Sequence, residues 1–388
     1  MEYRVEDNKL TIFLSGRISG ENSARIEQEI TEICDTCSCS GLILDAEKLV
    51  YISSAGLRVI MKLMRRYKDI SIVGTSAEVY DIFSVTGFTE MINVEKAYRT
   101  MSVDGCDIIG TGACGTVYRV SEDTIVKVFS ENVSLEKIKT ERELAKRAFV
   151  LGIPTAIPYD IVKVGDRYGT VFELLNAETA AKVIAAAPER LGEITEKTVA
   201  LLKLIGSTEV KENELPRKKD ITADFVKGFA DSLPVAVSEK LLAMLSALPE
   251  TNMMIHGDCH IKNILVQGDD MLIIDMDGLA AGDPIFELGA LYTTYLAFSE
   301  TNEDDSMKFH GIPHETAIEI WETTLKLYLG DRYDSLIEKT RLKTQLIGSV
   351  NVIGSLDTLN RDDPELRAVC LKHICDITPV LDTLALYE

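Results

Sequence analysis

The sequence predicts a mixed fold: a small α/β sandwich over residues 1–99, followed by a two-lobed α+β unit. That unit has a β-rich lobe over 104–176 and a helical lobe over 177–388. Three observations predict it. Strand-like and helix-like runs alternate through the first hundred residues. Between Cys106 and Leu175 short β-type runs dominate, and only one good helix interrupts them. From Ala177 onward apolar residues recur at helical spacing, apart from one hairpin near Ile264 to Ile274. A chain of 388 residues also exceeds the roughly 250–300 residues that a single core accommodates.

In the first hundred residues, Leu10 to Gly16 alternates as a strand. Ile18 to Ile33 carries Ala24, Ile26, Ile30 and Ile33 at mostly helical spacing, and Gly41 to Asp45 is a short buried strand. Ser54 to Tyr67 is an amphipathic helix, with Leu57, Ile60, Met61 and Met64 on one face. Asp69 to Gly74 returns as a strand, and Val79 to Val85 is a short helix closed by Gly87. Ser53 and Ser54 stand directly before the amphipathic helix, where a serine hydroxyl accepts from first-turn amides. A phosphate there would meet the positive end of the helix dipole.

This segment, residues 1–99, resembles a STAS domain, the fold of bacterial anti-sigma factor antagonists. The resemblance rests on Ser53-Ser54-Ala55-Gly56-Leu57, the family's Asp-Ser-Ser-Gly-Leu type turn, with Ser53 in place of its Asp. It implies Ser54 as the phosphoacceptor and a protein partner for this domain.

After Val103-Asp104-Gly105 comes Gly110-Thr111-Gly112-Ala113-Cys114-Gly115. The three glycines alone are a weak motif, because a dinucleotide-binding loop needs a strand before and a helix after. Here Thr116 to Val120 alternates as a strand, and strand–glycines–strand is a hairpin lid whose amides cover phosphates. The next strand, Thr124 to Phe129, carries Lys127 among apolar neighbours. Such a charge needs a partner, which the phosphates of ATP and a helix glutamate would supply. Leu135 to Leu151 is that helix; Glu143 is the expected partner and Glu141 the competing choice. Asp160 to Val164 and Gly169 to Leu175 form a further strand pair, leading to a hinge at Glu173 to Asn176 where backbone could meet adenine. Lys211 to Asp220 reads as a solvated loop.

The chemistry concentrates in His256-Gly257-Asp258-Cys259-His260-Ile261-Lys262-Asn263, followed by Ile273-Ile274-Asp275-Met276-Asp277. Two short apolar strands joined by Gln267-Gly268-Asp269-Asp270 make a hairpin that brings Asp258, Asn263 and Asp275 together at strand ends. The set suits phosphoryl transfer: one carboxylate to orient a hydroxyl, and an amide with a second carboxylate to hold Mg2+. Helices follow at Thr316 to Leu329, Arg341 to Leu359 and Glu365 to Leu384.

The ordered set resembles the aminoglycoside phosphotransferase and choline kinase family, of protein-kinase-like fold, over about residues 105–388. It comprises Gly110, Gly112 and Gly115, then Lys127, the helix glutamate, His256 to Asn263, Ile274 to Asp277 and Gly282-Asp283-Pro284. The resemblance implies Asp258 as catalytic aspartate and Asn263 and Asp275 as Mg2+ ligands. It implies Lys127 with Glu143 at the ATP phosphates, and His256 as a structural support of the loop. His260 fits the common form of the loop, and Asp277 is either a second metal-side carboxylate or a solvated neighbour. Gly257 stands where the eukaryotic catalytic loop has Arg, and no long activation segment follows Asp275; both favour a small hydroxyl-bearing acceptor over a protein. The alternative is a partner-switching protein whose kinase-like part phosphorylates protein serine, Ser54 included. A nucleotide-binding pseudokinase is disfavoured because every expected polar residue is present.

Composition bounds the partners. With 46% hydrophobic and 27% charged residues the chain is ordinary for a globular protein. A net charge of −21 disfavours nucleic acid and anionic membrane surfaces, and suits a cationic substrate. Met1 to Asp7 lacks a basic start followed by an apolar core, no apolar run reaches the roughly 18 residues of a span, and the eight cysteines are scattered. A cytoplasmic protein with reduced thiols is expected.

Overall fold

The computed structural model describes every residue except Asp7, Ser38, Ala113 and Glu388. The chain divides into two compact units, residues 1–102 with 161–166, and residues 103–160 with 167–388.

The first unit is built on a five-stranded sheet. Its strands are β1 (Tyr3–Glu6), β2 (Lys9–Ile18), β3 (Gly41–Ile52), β4 (Asp69–Thr75) and β5 (Asn93–Lys96), in sequence order across the sheet. β1 pairs antiparallel with β2; the other neighbours are parallel, joined through α1 (Ser23–Thr36), α2 (Ser54–Arg66) and α3 (Ala77–Val85) with the single turn α4 (Phe88–Met91). β3 is longer than the five residues expected. It continues to Ile52 because Ala46, Leu49 and Ile52 keep burying side chains, with two register shifts absorbing the irregular spacing. The core joins Leu10, Ile12, Leu42, Leu44 and Ile72 of the sheet to Ile26, Ile30, Ile60 and Phe83 of the helices. At the start of α2, Ser53 is the cap, accepting from the Gly56 N–H, and Ser54 is the exposed first residue of the helix.

The segment after β5 adds β6 (Arg99–Thr100). In the second unit, β7 (Asp107–Gly112), β8 (Gly115–Arg119) and β9 (Thr124–Phe129) form an antiparallel meander, and α5 (Leu135–Val150) follows. β10 (Pro158–Val164) leads to β11 (Arg167–Glu173), which pairs antiparallel with β9. The expected β-rich lobe held all of this hairpin. Residues 161–166 instead group with the first unit, where Val162 and Lys163 pair in parallel with Arg99 and Thr100 of β6.

The rest of the second unit is helical: after the short β12 (Glu178–Thr179) come α6 (Ala180–Ala186), α7 (Leu191–Gly206), α8 (Lys218–Gly228) and α9 (Val235–Ser246). The short strands β13 (Met254–Ile255), β14 (Ile264–Gln267), β15 (Asp270–Ile273) and β16 (Ala280–Ala281) carry the acidic motifs, and α10 (Ile285–Tyr295), α11 (Asp304–His310), α12 (His314–Leu329), α13 (Tyr333–Thr358) and α14 (Pro364–Ile377) close the fold. α14 stops seven residues before the expected Leu384, because Pro379 cannot continue a helix and the chain tightens into a turn over Thr378–Val380. The predicted solvated loop ends instead in α8, and its residues are anchored. Arg217 donates to the Thr251 carbonyl at 2.6 Å, and Lys219 to that of Leu248 at 3.2 Å. α10 and α13 cross closely at two glycines: a Cβ on Gly289 would collide with Ile347, and one on Gly348 would come 2.5 Å from Tyr292 Cδ1.

Candidate active site

The hairpin β14–β15 pairs Gln267 with Asp270 around Gly268, whose φ of +60° suits glycine in a tight turn. Its register sets Asn263 beside Asp275, since the Ile274 N–H donates to the Asn263 carbonyl at 2.9 Å. Asn263 Nδ2 then donates to both the backbone oxygen and Oδ2 of Asp258, each at 3.0 Å. On the other side of that carboxylate, His260 Nε2 lies 3.6 Å from Oδ1. Burial opposes the Asp258 charge, yet His260, His256 and Asn263 outweigh it and hold the carboxyl below its ordinary value. Its side chain stays 38% exposed, so an ionised carboxylate is presented to solvent with its orientation fixed.

Both histidines of the loop work through their second nitrogen. His256 Nδ1 accepts from the Asp258 N–H and His260 Nδ1 from the Lys262 N–H, both at 3.2 Å. With Nδ1 accepting, each ring carries a proton on Nε2, which for His260 faces Asp258. Burial drives His256 down to about 4, so it is a neutral brace. His260 packs edge-on against Phe309 and His310 of α11.

The opposite wall is β9 and α5. Lys127 Nζ lies 2.7 Å from Glu141 Oε1 and 2.9 Å from Asp275 Oδ1. Burial alone would pull this ammonium down; Asp275 and Glu141 outweigh it and hold it above its ordinary value. The expected partner, Glu143, is not the partner. It points away, accepts from Arg142 Nη1 at 2.7 Å and is 61% exposed in its side chain. Two helical positions separate residues by about 200°. Glu141 shares the buried face of α5 with Ile138, Ala145 and Ala148, and Glu143 cannot. Asp275 adopts the left-handed conformation, φ +67°, uncommon for a residue with a side chain and a mark of a functional turn. Asp277 is crowded: desolvation, then repulsion from Asp275, Glu141 and Asp258, pushes its carboxyl up to about 7.

The glycines differ in what they do. Space above Gly112 is open, and Gly110 meets only ordinary contacts. A side chain on Gly115 would collide with the Val128 carbonyl oxygen, so that glycine serves the pairing of β8 with β9. Glu173 accepts the Ile157 N–H on its carboxylate at 2.8 Å while its own N–H donates to the Ile157 carbonyl at 3.2 Å. Its side chain is thus engaged with the backbone of Ile157.

One residue escaped the sequence reading. Glu287 of α10 is buried, and its carboxylate accepts from the His256 N–H at 2.6 Å and the Gly257 N–H at 3.1 Å. It is the anchor of the loop, and burial pushes it up to about 7. The available signal was a lone carboxylate in the run Ile285-Phe286-Glu287-Leu288-Gly289, where a buried charge needs donors.

The donor set fits nucleotide and Mg2+. Crowded carboxylates at Asp275 and Asp277 are relieved by a divalent cation. Among the described residues no three His, Cys, Asp or Glu side chains hold a metal by themselves. Mg2+ takes one or two carboxylates and completes its shell with phosphate oxygens and water.

A model of the phosphotransferase enzyme family (APH) matches residues 106–316, and a model of the STAS domain matches residues 1–101. Among solved structures, the chain is similar to the ADP-bound aminoglycoside phosphotransferase APH(2'')-Ib, at 16% identity over 76% of this chain and 97% of that one, with a TM-score of 0.46. It is similar to aminoglycoside phosphotransferase APH(3'')-Id from Streptomyces rimosus, at 16% identity over 58% and 93%, TM-score 0.37. It is also similar to the anti-sigma factor antagonist SpoIIAA in its unphosphorylated form, at 16% identity over 24% and 85%, TM-score 0.22. No curated protein matches the chain. No helix among the described residues is long and apolar enough to cross a membrane.

Proposed function

Because the chain belongs to the phosphotransferase enzyme family, we propose that it transfers the terminal phosphoryl group of ATP to a hydroxyl of a small molecule, with its STAS domain serving regulation or partner binding. The observation that carries this reading is the Asp258 carboxylate: ionised, accessible, and oriented by Asn263 across from the Lys127–Glu141 pair.

Bound Mg2+ would neutralise phosphate charge, and bound ATP would supply the phosphoryl group. The chain's own residues do the rest. Gly110 and Gly112 offer backbone to the phosphates, and Lys127 neutralises them while Glu141 fixes its position. Asn263 and Asp275 hold the cation. Asp275 can turn to it without leaving Lys127 unpaired, because Glu141 remains at 2.7 Å. Backbone at the hinge after Glu173 meets the base. Asp258 orients the acceptor hydroxyl and takes its proton. The bond from the γ-phosphorus to the β–γ bridging oxygen breaks, a bond to the acceptor oxygen forms, and ADP leaves. Positioning and charge neutralisation account for most of such catalysis. Amine-bearing alcohols and amino sugars are the acceptors that suit a chain of net charge −21.

The test is ADP formation with Mg2+-ATP across amino alcohols, amino sugars and neutral sugars. One class should raise the rate above that with water, and Asp258→Asn should abolish the increase. A second reading, phosphorylation of protein serine, draws on the exposed Ser54 at the start of α2. Label from ATP on Ser54 that disappears in Asp258→Asn would favour it.

A further inference from the structure

α8 opens with three cations, Arg217, Lys218 and Lys219, at the end of a helix where the dipole disfavours positive charge. Two of them are committed. Arg217 donates to the Thr251 carbonyl and faces Glu250 at 3.7 Å, and Lys219 pairs with Glu250 and donates to the Leu248 carbonyl. Lys218 is turned the other way. Its Nζ lies 3.2 Å from the point that a Cβ on Gly257 would occupy, and its Cβ lies 3.3 Å from the corresponding point on Gly282. Gly257 has a φ of +79° and immediately precedes Asp258. The ammonium and the Gly278 carbonyl oxygen, 2.8 Å from the same point, together occupy the space a side chain at position 257 would need. Among the described residues it has no hydrogen bond or ion pair, although Glu287, Asp258 and Asp277 act on it electrostatically. Burial pulls this ammonium below its ordinary value and those three carboxylates oppose the fall.

A half-buried ammonium with no hydrogen-bond partner among the described residues, at a helix end that disfavours it, gains from an anion that arrives beside it. The anion that the reaction itself delivers beside Asp258 is the phosphoryl group. We propose that Lys218 is a further catalytic residue: its ammonium contacts the oxygens of the phosphoryl group as it passes from ADP to the acceptor. This rests on the phosphotransferase reading. In the step the phosphorus–oxygen bond to ADP breaks, the bond to the acceptor or water oxygen forms, and Lys218 keeps its proton throughout.

The experiment measures binding of ADP with Mg2+, alone and with aluminium fluoride as a mimic of the phosphoryl group in flight, by calorimetry on the full chain. ATP hydrolysis without acceptor is read in parallel. Lys218→Met should leave ADP affinity within about twofold, and weaken the fluoride complex and slow hydrolysis about tenfold or more at unchanged nucleotide KM. Lys218→Arg should restore most of both. If the melting of Lys218→Met shows a damaged fold, Lys218→Gln, which keeps a long polar side chain, is read instead. Fluoride-complex affinity equal to wild type in the folded variant overturns the inference and leaves the phosphotransferase reading standing. A wild-type protein that gains no affinity from aluminium fluoride and forms no ADP overturns both.

Discussion

Replacing Glu287 with Gln isolates the anchor beneath the catalytic loop. The carboxylate is 4% exposed and accepts two backbone N–H groups, so an amide oxygen can take over both bonds. Charge is what changes. A glutamate titrates near 4.3 when unfolded, and burial raises Glu287 to about 7 in the fold. A carboxyl raised in this way contributes stability that is complete below about pH 4 and is lost as pH climbs through about 7. The difference converts to roughly 3–4 kcal/mol at about 1.4 kcal/mol per pH unit. Trp321 is the only tryptophan and is buried in the core of the second unit, so its fluorescence reports unfolding there. Urea titrations at several pH values should show wild type losing roughly 3–4 kcal/mol relative to Glu287→Gln between acid and pH 9, most of it between about pH 5 and 8. Parallel stability curves for the two proteins, or a gap of opposite sign, would mean that burial does not raise the Glu287 carboxyl in the fold.

Further outcomes follow from the same geometry. Glu141→Gln should lower kcat/KM for ATP by about ten- to a hundredfold through misplacement of Lys127, whereas Glu143→Gln should stay within about twofold, both read by ADP release. Gly115→Ala should destabilise the β8–β9 pairing by about 1–3 kcal/mol in urea titrations, as overpacking does. Gly112→Ala meets open space, keeps wild-type stability and acts on the KM for ATP. Gly348→Ala should lower the stability of the second unit by about 1–3 kcal/mol, read by Trp321, because its Cβ meets Tyr292 at the α10–α13 crossing.

The motifs were legible where chemistry requires a residue type at a fixed spacing. A spacing of five positions from Asp258 to Asn263, and a two-residue turn in the hairpin, suffice to bring Asp258, Asn263 and Asp275 together. Choosing between Glu141 and Glu143 needed the facing of α5. That facing is written in Ile138, Ala145 and Ala148, three to seven residues away, and only Glu141 fits it. Glu287 and Lys218 were less accessible. Each acts on the loop from a helix distant in sequence, and nothing local distinguishes them from surface charges except apolar neighbours for the one and a dipole mismatch for the other. Residues 161–166 group with the first unit through strand pairing with Arg99 and Thr100, a long-range contact that no period in the sequence encodes. In the STAS domain the turn motif was clear, and the structure separates its two serines into a cap, Ser53, and an exposed helical residue, Ser54.

Transfer of label from radiolabelled ATP, with Mg2+ and a panel of hydroxyl-bearing amines and sugars, measured for wild type and Asp258→Asn side by side, shows whether the protein is a phosphotransferase that works through Asp258. The wild type should label one class of small acceptor, and Asp258→Asn should bind nucleotide normally but transfer nothing. Equal transfer by both proteins, or nucleotide binding with no transfer to any acceptor by either, would contradict this assignment.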